Sequence, residues 1–128
     1  MVAALATVAI DAATLPEFEV GQYWALRDAR HPGVEILVVK IDRDPVLDRI
    51  IFVDIEKVMA KDGREQTLSF VPVSQSALRL SVGHYLRRVS DPGSFDDRLY
   101  RKWKAQSVNG KRFVVTGALG DVVDKLFP

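Results

Sequence analysis

The sequence predicts an α+β domain in which one curled antiparallel sheet of about five strands, an SH3-like half-barrel, is combined with two to three helices. The chain has 128 residues, 48% hydrophobic and 27% charged, which suits one globular domain. Apolar residues alternate over 17–73, and their spacing becomes helical afterwards. We therefore expect a single domain over 1–128, with an N-terminal extension packed on the core (1–16), a β-meander (17–73) and a helical half with one strand (74–128).

The meander is predicted from four stretches of period two. These stretches cover residues 17–27, 34–41, 49–58 and 67–73. The His-Pro-Gly sequence at 31–33 suits a turn between the first two strands, and the Asp-Gly pair at 62–63 suits a hairpin. Pro72 has no backbone N–H to donate, so the fourth strand should lie at a sheet edge or end early.

The second half is predicted to begin with a helix that starts at Ser74 and stops at the Asp-Pro-Gly sequence of 91–93. Five apolar residues share one face of this helix: Leu78, Val82, Tyr85, Leu86 and Val89. A second helix is predicted over 94–106, because Phe95, Leu99 and Trp103 form one stripe. A strand over 112–116 and a terminal helix over 118–127 complete the prediction.

Opposite charges are concentrated in the two halves of the chain, although the formal net charge is only +1. Residues 1–60 hold ten acids and six bases, and residues 61–128 hold seven acids and twelve bases. Nine of those bases lie in 79–112 beside three acids. The pattern predicts a basic helical face beside an acidic sheet, and such a face attracts acidic proteins or nucleic acid.

Few residues can carry catalysis. The chain has no cysteine, which excludes disulfides, thiolate zinc sites and cysteine nucleophiles, and its two histidines have no second ligand at metal spacing. Ser81 and His84 stand three apart on the predicted first helix, but the pattern supplies no orienting carboxylate. We expect a protein that is not an enzyme and has no cofactor and no metal.

No segment reaches the roughly 18 apolar residues that a membrane span requires. The apolar run over 2–10 has no basic residues before it, and Asp11 interrupts it, which is atypical of an export signal. We therefore expect a cytoplasmic protein that does not bind a membrane.

Three stretches of sequence resemble a group of small bacterial sheet-plus-helix proteins. They are Val20-Gly-Gln-Tyr-Trp24, then Leu37-Val-Val-Lys-Ile-Asp42 with Arg49-Ile-Ile-Phe-Val53, then Val71-Pro-Val-Ser-Gln-Ser-Ala-Leu78. Tyr100 and Trp103 then precede a Gly-Lys pair, as in that group. The resemblance implies a compact domain that confers immunity to secreted antibacterial toxins. It transfers no active-site residue.

The leading hypothesis is a non-catalytic protein-binding module that occludes a partner, specifically an immunity protein that neutralises a bacterial toxin. The candidate contact residues are Tyr23, His84, Arg87, Arg88, Arg101 and Lys104. The alternative is a small nucleic-acid-binding barrel that uses the basic region 79–112. A third hypothesis is a small enzyme that works through His84.

Overall fold

The computed structural model describes residues 17–46, 48–92, 97–106 and 113–127. Its elements are, in chain order, β1 (Gln22–Leu26), β2 (Glu35–Asp44), β3 (Asp48–Met59), β4 (Glu65–Ser74), α1 (Gln75–Ser81), β5 (Val82–Arg88), α2 (Asp97–Ala105) and α3 (Leu119–Leu126). The predicted extension over 1–16 lies outside the described residues. The α+β class is confirmed.

The strands form one antiparallel sheet in the order β4-β3-β2-β1-β5, which is not closed into a barrel. Strands β1 to β4 are a meander, as predicted, and β5 returns to pair with β1. The expected edge position of the strand that contains Pro72 is confirmed. The outer edge of β4 is partly occupied, because the Val115 N–H donates to the Pro72 carbonyl (2.8 Å) and Val115 accepts from the Ser74 N–H (2.9 Å).

The main core lies on the inner face of the sheet, under α1 and α3. Trp24 is fully buried there, with the Phe18 ring edge-on at 5.3 Å and the Tyr85 ring at 5.5 Å. The Trp24 Nε1–H donates to the Gln22 side-chain carbonyl (3.1 Å), which satisfies the indole inside the core. The segment before β1 is therefore anchored through Phe18 without being a strand.

The expected cap of the first helix is confirmed, because the Ser74 hydroxyl accepts the Ala77 N–H (3.2 Å). At the other end of α1, the buried Ser81 hydroxyl donates to the Ala77 carbonyl (2.7 Å). The same hydroxyl accepts the Leu119 N–H (2.8 Å). Ser81 thus fixes the start of α3, whose side-chain cap is missing.

The predicted extent of the first helix is wrong. The helix ends at Ser81, and the chain continues as edge strand β5, so His84, Arg87 and Arg88 lie on a strand. The register shifts between β1 and β5, so that Val82 opposes Leu26 and Tyr85 opposes Trp24. Two residues of β1 therefore match three of β5, and inward side chains three residues apart imitate helical spacing.

The remaining elements follow the prediction more closely. The second helix was expected over 94–106 and is Asp97–Ala105, with 93–96 outside the described residues. The terminal helix is confirmed as Leu119–Leu126. The predicted strand over 112–116 is reduced, within the described residues, to one parallel bridge between Val73 and Val115.

Helix α2 packs on the outer face of the sheet. The Trp103 ring meets the buried Phe52 ring at 4.9 Å and 90°, and its Nε1–H donates to the Phe113 carbonyl (2.7 Å). Phe70 stacks on the same Phe52 ring at 4.4 Å. Among the described residues, only part of the outer face is covered in this way. Within the described residues, no helix has the length and apolar character needed to cross a membrane.

Candidate binding surface

The uncovered part of the outer face carries five interacting side chains that we call the open face. These are Tyr23 on β1, Glu35 on β2, Glu56 and Lys57 on β3, and Arg87 on β5. The sheet register brings them together, since Tyr23 opposes Arg87 and Glu35 opposes Glu56. Four strands therefore contribute to one small surface.

The tyrosine of the open face is held at both ends. The Arg87 guanidinium lies over the Tyr23 ring, 4.0 Å from its centroid, and the phenolic O–H donates to the Glu56 carboxylate at 3.0 Å. Arg87 also donates to Glu35 (2.8 Å), and Lys57 donates to the same carboxylate (3.1 Å). Cation–π contact and hydrogen bonds thus order a half-buried aromatic ring on the surface.

The charges of the open face balance. The Arg87 hydrogen bond lowers the pKa of Glu35 although burial opposes it, and the Lys57 hydrogen bond adds to the lowering. Burial raises the pKa of Tyr23, and the hydrogen bond to Glu56 adds to the effect. At neutral pH the tyrosine is therefore a neutral donor, and two carboxylates face two cations.

A second tyrosine shows the same arrangement at the covered end of the outer face. The Tyr100 O–H donates to Asp42 (2.7 Å), and Lys40 lies over the ring, 4.4 Å from its centroid. The Lys104 ammonium donates to the Tyr100 oxygen (3.2 Å). Burial raises the pKa of Asp42, but the Tyr100 hydrogen bond and the Arg43 backbone N–H outweigh it, so the pKa is lowered.

Asp54 separates the two ends of the outer face. Its carboxylate accepts the backbone N–H of Phe70 (2.9 Å), whose φ of 57° lies in the left-handed region. The bond supports a register shift between β3 and β4. Burial raises the pKa of Asp54, and the Phe70 N–H offsets only part of this rise.

The structure divides the predicted contact residues between several places. Tyr23 and Arg87 are brought together, whereas the Arg88 guanidinium pairs with Glu19 (2.8 Å). His84 is exposed on β5. Lys104 contacts Tyr100 at the covered end of the outer face, and Arg101 is exposed on α2. These residues do not form one patch. The predicted helix ends at Ser81, so His84, Arg87 and Arg88 lie on strand β5 and not on a basic helical face.

Sequence reasoning missed the acidic members of the open face. Glu56 has the same parity as Asp54 and Phe52 on β3, and this alternation could have placed it on the outer face. Glu35 could not be placed beside Arg87, because that contact depends on β5 pairing with β1.

The predicted basic face is partly neutralised by folding. Arg87 and Arg88 come from the basic half of the sequence and pair with Glu35 and Glu19 from the acidic half. Helix α2 keeps a strongly basic composition, with four bases and one acid in nine residues.

The Ser81–His84 pair that the helical spacing suggested is not formed. Ser81 is 4% exposed and its hydroxyl is engaged by Ala77 and Leu119, while His84 is exposed on a strand. Among the described residues, no group of three or more histidine, aspartate or glutamate side chains is arranged to hold a metal ion.

Comparison with known proteins gives no relative: no protein-family model, no curated protein and no solved structure matches this chain.

Proposed function

We propose that this protein is a non-catalytic protein-binding module whose contact surface is the open face. The observation that carries the proposal is the fixed Tyr23 ring, which lies between the Arg87 guanidinium and the Glu56 carboxylate. Tyrosine and arginine are, together with tryptophan, the side chains most enriched among the residues that dominate binding energy at protein interfaces. A ring already ordered in the free protein loses little conformational entropy when a partner covers it.

The finer architecture in this proposal is an SH3-like half-barrel. Its support is the strand order, in which a four-strand meander is followed by the short helix α1 and by a fifth strand that returns to β1. Register shifts also place extra residues on β2, β3, β4 and β5, and such bulges increase the bend and twist of a strand, as a curled sheet requires.

The partner in this proposal is a bacterial toxin that the protein neutralises in the cytoplasm by covering the toxin's active cleft. The resemblance of residues 20–24, 37–42, 49–53 and 71–78 to the group of small bacterial proteins supports this choice. The mechanism is steric, with Tyr23 and Arg87 as anchors and the flanking charged side chains as a polar rim.

A second candidate, nucleic-acid binding, is favoured by the basic composition of α2 alone. The open face is unsuited to phosphate, because Glu35 and Glu56 place two carboxylates beside Arg87. The two candidates differ in their response to salt, since binding through phosphate contacts weakens steeply as salt rises.

The test is capture from a lysate of the source organism on immobilised wild-type protein, with washes at low and high salt. The double variant Tyr23→Ala/Arg87→Ala removes the anchors. Arg64→Ala, which removes an 81% exposed arginine side chain at the β3–β4 turn, is the matched control. We expect one stoichiometric protein to survive high salt on wild type and control, and to be at least about tenfold reduced on the double variant.

Retention of the same protein by the double variant would overturn the open face as the contact surface. Recovery of nucleic acid at low salt, without any protein at high salt, would instead support the second candidate. Circular dichroism of each variant confirms that the fold is retained.

A further inference from the structure

Arg49 is a buried cation, and its two hydrogen-bond acceptors among the described residues are both neutral. The residue is 8% exposed at the start of β3. Its Nη2 donates to the Phe18 backbone carbonyl (2.7 Å), and its Nη1 donates to the Gln75 side-chain carbonyl (2.8 Å). None of the ion pairs formed between the described residues includes Arg49. A buried charge without a counter-charge is destabilising, which raises the question of what balances it.

The guanidinium also keeps unused donor capacity. Arginine has five N–H donors, and within the described part of the chain Arg49 uses two of them. The remaining donors lie on a planar group that matches the two oxygens of a carboxylate. Arg49 lines a pocket of about 510 Å³, a volume within the usual range of small-molecule sites.

The pocket has an apolar wall beside this cation. Phe18, Val20 and Ile41 line it, at the end of the sheet where the segment before β1 meets β2 and β3. The Phe18 ring packs on Trp24, and its backbone carbonyl accepts the Arg49 hydrogen bond. A ligand with both an anionic and an apolar part would contact the two kinds of lining at once.

Two of the acids that line the pocket are already engaged by other groups. Glu19 pairs with Arg88 (2.8 Å), and Asp42 accepts the Tyr100 O–H (2.7 Å). Glu17 is exposed, and Arg43 adds a second cation to the lining. The buried charge of the pocket is therefore that of Arg49.

We propose that this pocket binds a small carboxylate with an apolar body. The carboxylate pairs with the Arg49 guanidinium, and the apolar body lies against Val20 and Ile41, beside the nearly buried Phe18. The inference is independent of the open face, because none of the pocket-lining residues belongs to that surface.

The test titrates the full chain with hexanoate and follows backbone amides and the Arg49 Nε–H by NMR. Hexanol has the same apolar body without the charge, and inorganic phosphate is an anion without the apolar body. We expect saturable shifts with hexanoate at Arg49, Val20 and Ile41, with binding at least about tenfold tighter than that of either control. Equal binding of hexanol or phosphate would overturn the proposal, as would the absence of saturation by about 20 mM hexanoate.

Variants separate binding from folding. Arg49→Gln should weaken hexanoate binding by about tenfold or more, but it also disturbs the bonds to Phe18 and Gln75. Val20→Asp instead places a negative charge at a 38% exposed position of the pocket, and Val46→Asp makes the same change at an 88% exposed position of the β2–β3 turn. We expect about tenfold weaker binding for Val20→Asp and no change for Val46→Asp. Equal affinities of these two variants would contradict the assignment.

Discussion

The two ends of the outer sheet face differ in how their aromatic side chains are held in place. At one end Phe52 and Phe70 offer aromatic surface, and α2 covers it with Trp103. At the other end, Tyr23 and Arg87 are ordered by ion pairs and hydrogen bonds and stay at the surface. At the aromatic end, the protein buries its apolar surface under its own helix α2. Where the surface is polar and ordered, the described residues leave it at the surface.

The largest expected difference between the two ends is in stability. Trp103→Ala should lower the free energy of unfolding by about 3–5 kcal/mol, because it empties the contact with Phe52 and leaves the Phe113 carbonyl without its donor. Tyr23→Ala should cost about 1 kcal/mol, since Tyr23 is half-buried and its partners can be solvated. Urea unfolding of both variants measures this. Equal losses would show that the open face also holds the fold together.

The next prediction concerns Asp54, which lies between the two ends of the outer face, and its effect on the pH dependence of stability. Its folded pKa is raised above the ordinary 3.8, so the ionised carboxyl destabilises the fold. Stability should therefore fall as pH rises from about 3.8 through the raised folded pKa. Asp54→Asn keeps an acceptor for the Phe70 N–H and should remove this pH dependence without loss of stability at pH 7.

Asp54→Ala is the matched change that removes the acceptor as well. It should lower stability at pH 7 by about 1–2 kcal/mol, because the Phe70 N–H at a left-handed φ loses its partner. Unfolding curves of the two variants between pH 3 and 7 give both results. A loss of the same size for Asn and Ala would show that the negative charge itself is needed.

The ion pairs of the open face should contribute less. The folded pKa of Glu35 is lowered below the ordinary 4.5, so its contribution is present above pH 4.5 and is lost as pH falls through the folded pKa. Glu35→Gln should therefore destabilise by at most about 1 kcal/mol at pH 7, and the difference should shrink at high salt. Glu65→Gln at an exposed position of β4 is the control. A loss unchanged by salt would argue against an ionic origin.

The smallest expected effect is that of Tyr23→Phe, which removes the hydroxyl donor to Glu56 and leaves the ring beneath Arg87. The free energy of unfolding should change by about 0.5 kcal/mol. In the capture experiment Tyr23→Phe should keep the partner that Tyr23→Ala/Arg87→Ala loses, because the proposed anchor is the ring. Loss of the partner with Tyr23→Phe would assign the recognition to the hydroxyl instead.

Local patterns in the sequence were sufficient for much of the fold. The alternation of the meander, the Ser74 cap and the edge position of the strand with Pro72 all depend on neighbouring residues, and each is confirmed. The continuation of the first helix beyond Ser81 was wrong because β5 forms through a long-range pairing with β1. Local spacing cannot distinguish a bulged strand from a helix when its inward residues are Val82 and Tyr85.

The candidate surface was harder to predict from the sequence than the fold. Tyr23 and Arg87 are both among the predicted contact residues, but the sequence gives no link between them. Their contact exists only once β5 lies beside β1. The two carboxylates that order the open face, Glu35 and Glu56, are not among the predicted contact residues, because their place beside Tyr23 and Arg87 depends on the pairing of distant strands.

The bulges that gave β5 a helix-like spacing also affect whether another copy of this protein can pair with the edge of the sheet. An unclosed sheet has two edges, and each edge can template the addition of a strand from another molecule, which leads to fibrils. In the described chain, the β4 edge is partly blocked by Pro72 and Val115. The β5 edge is irregular, because its register against β1 shifts twice. A strand added at the β5 edge would therefore meet an irregular register, and irregular edges are one of the features by which open sheets limit edge-to-edge pairing.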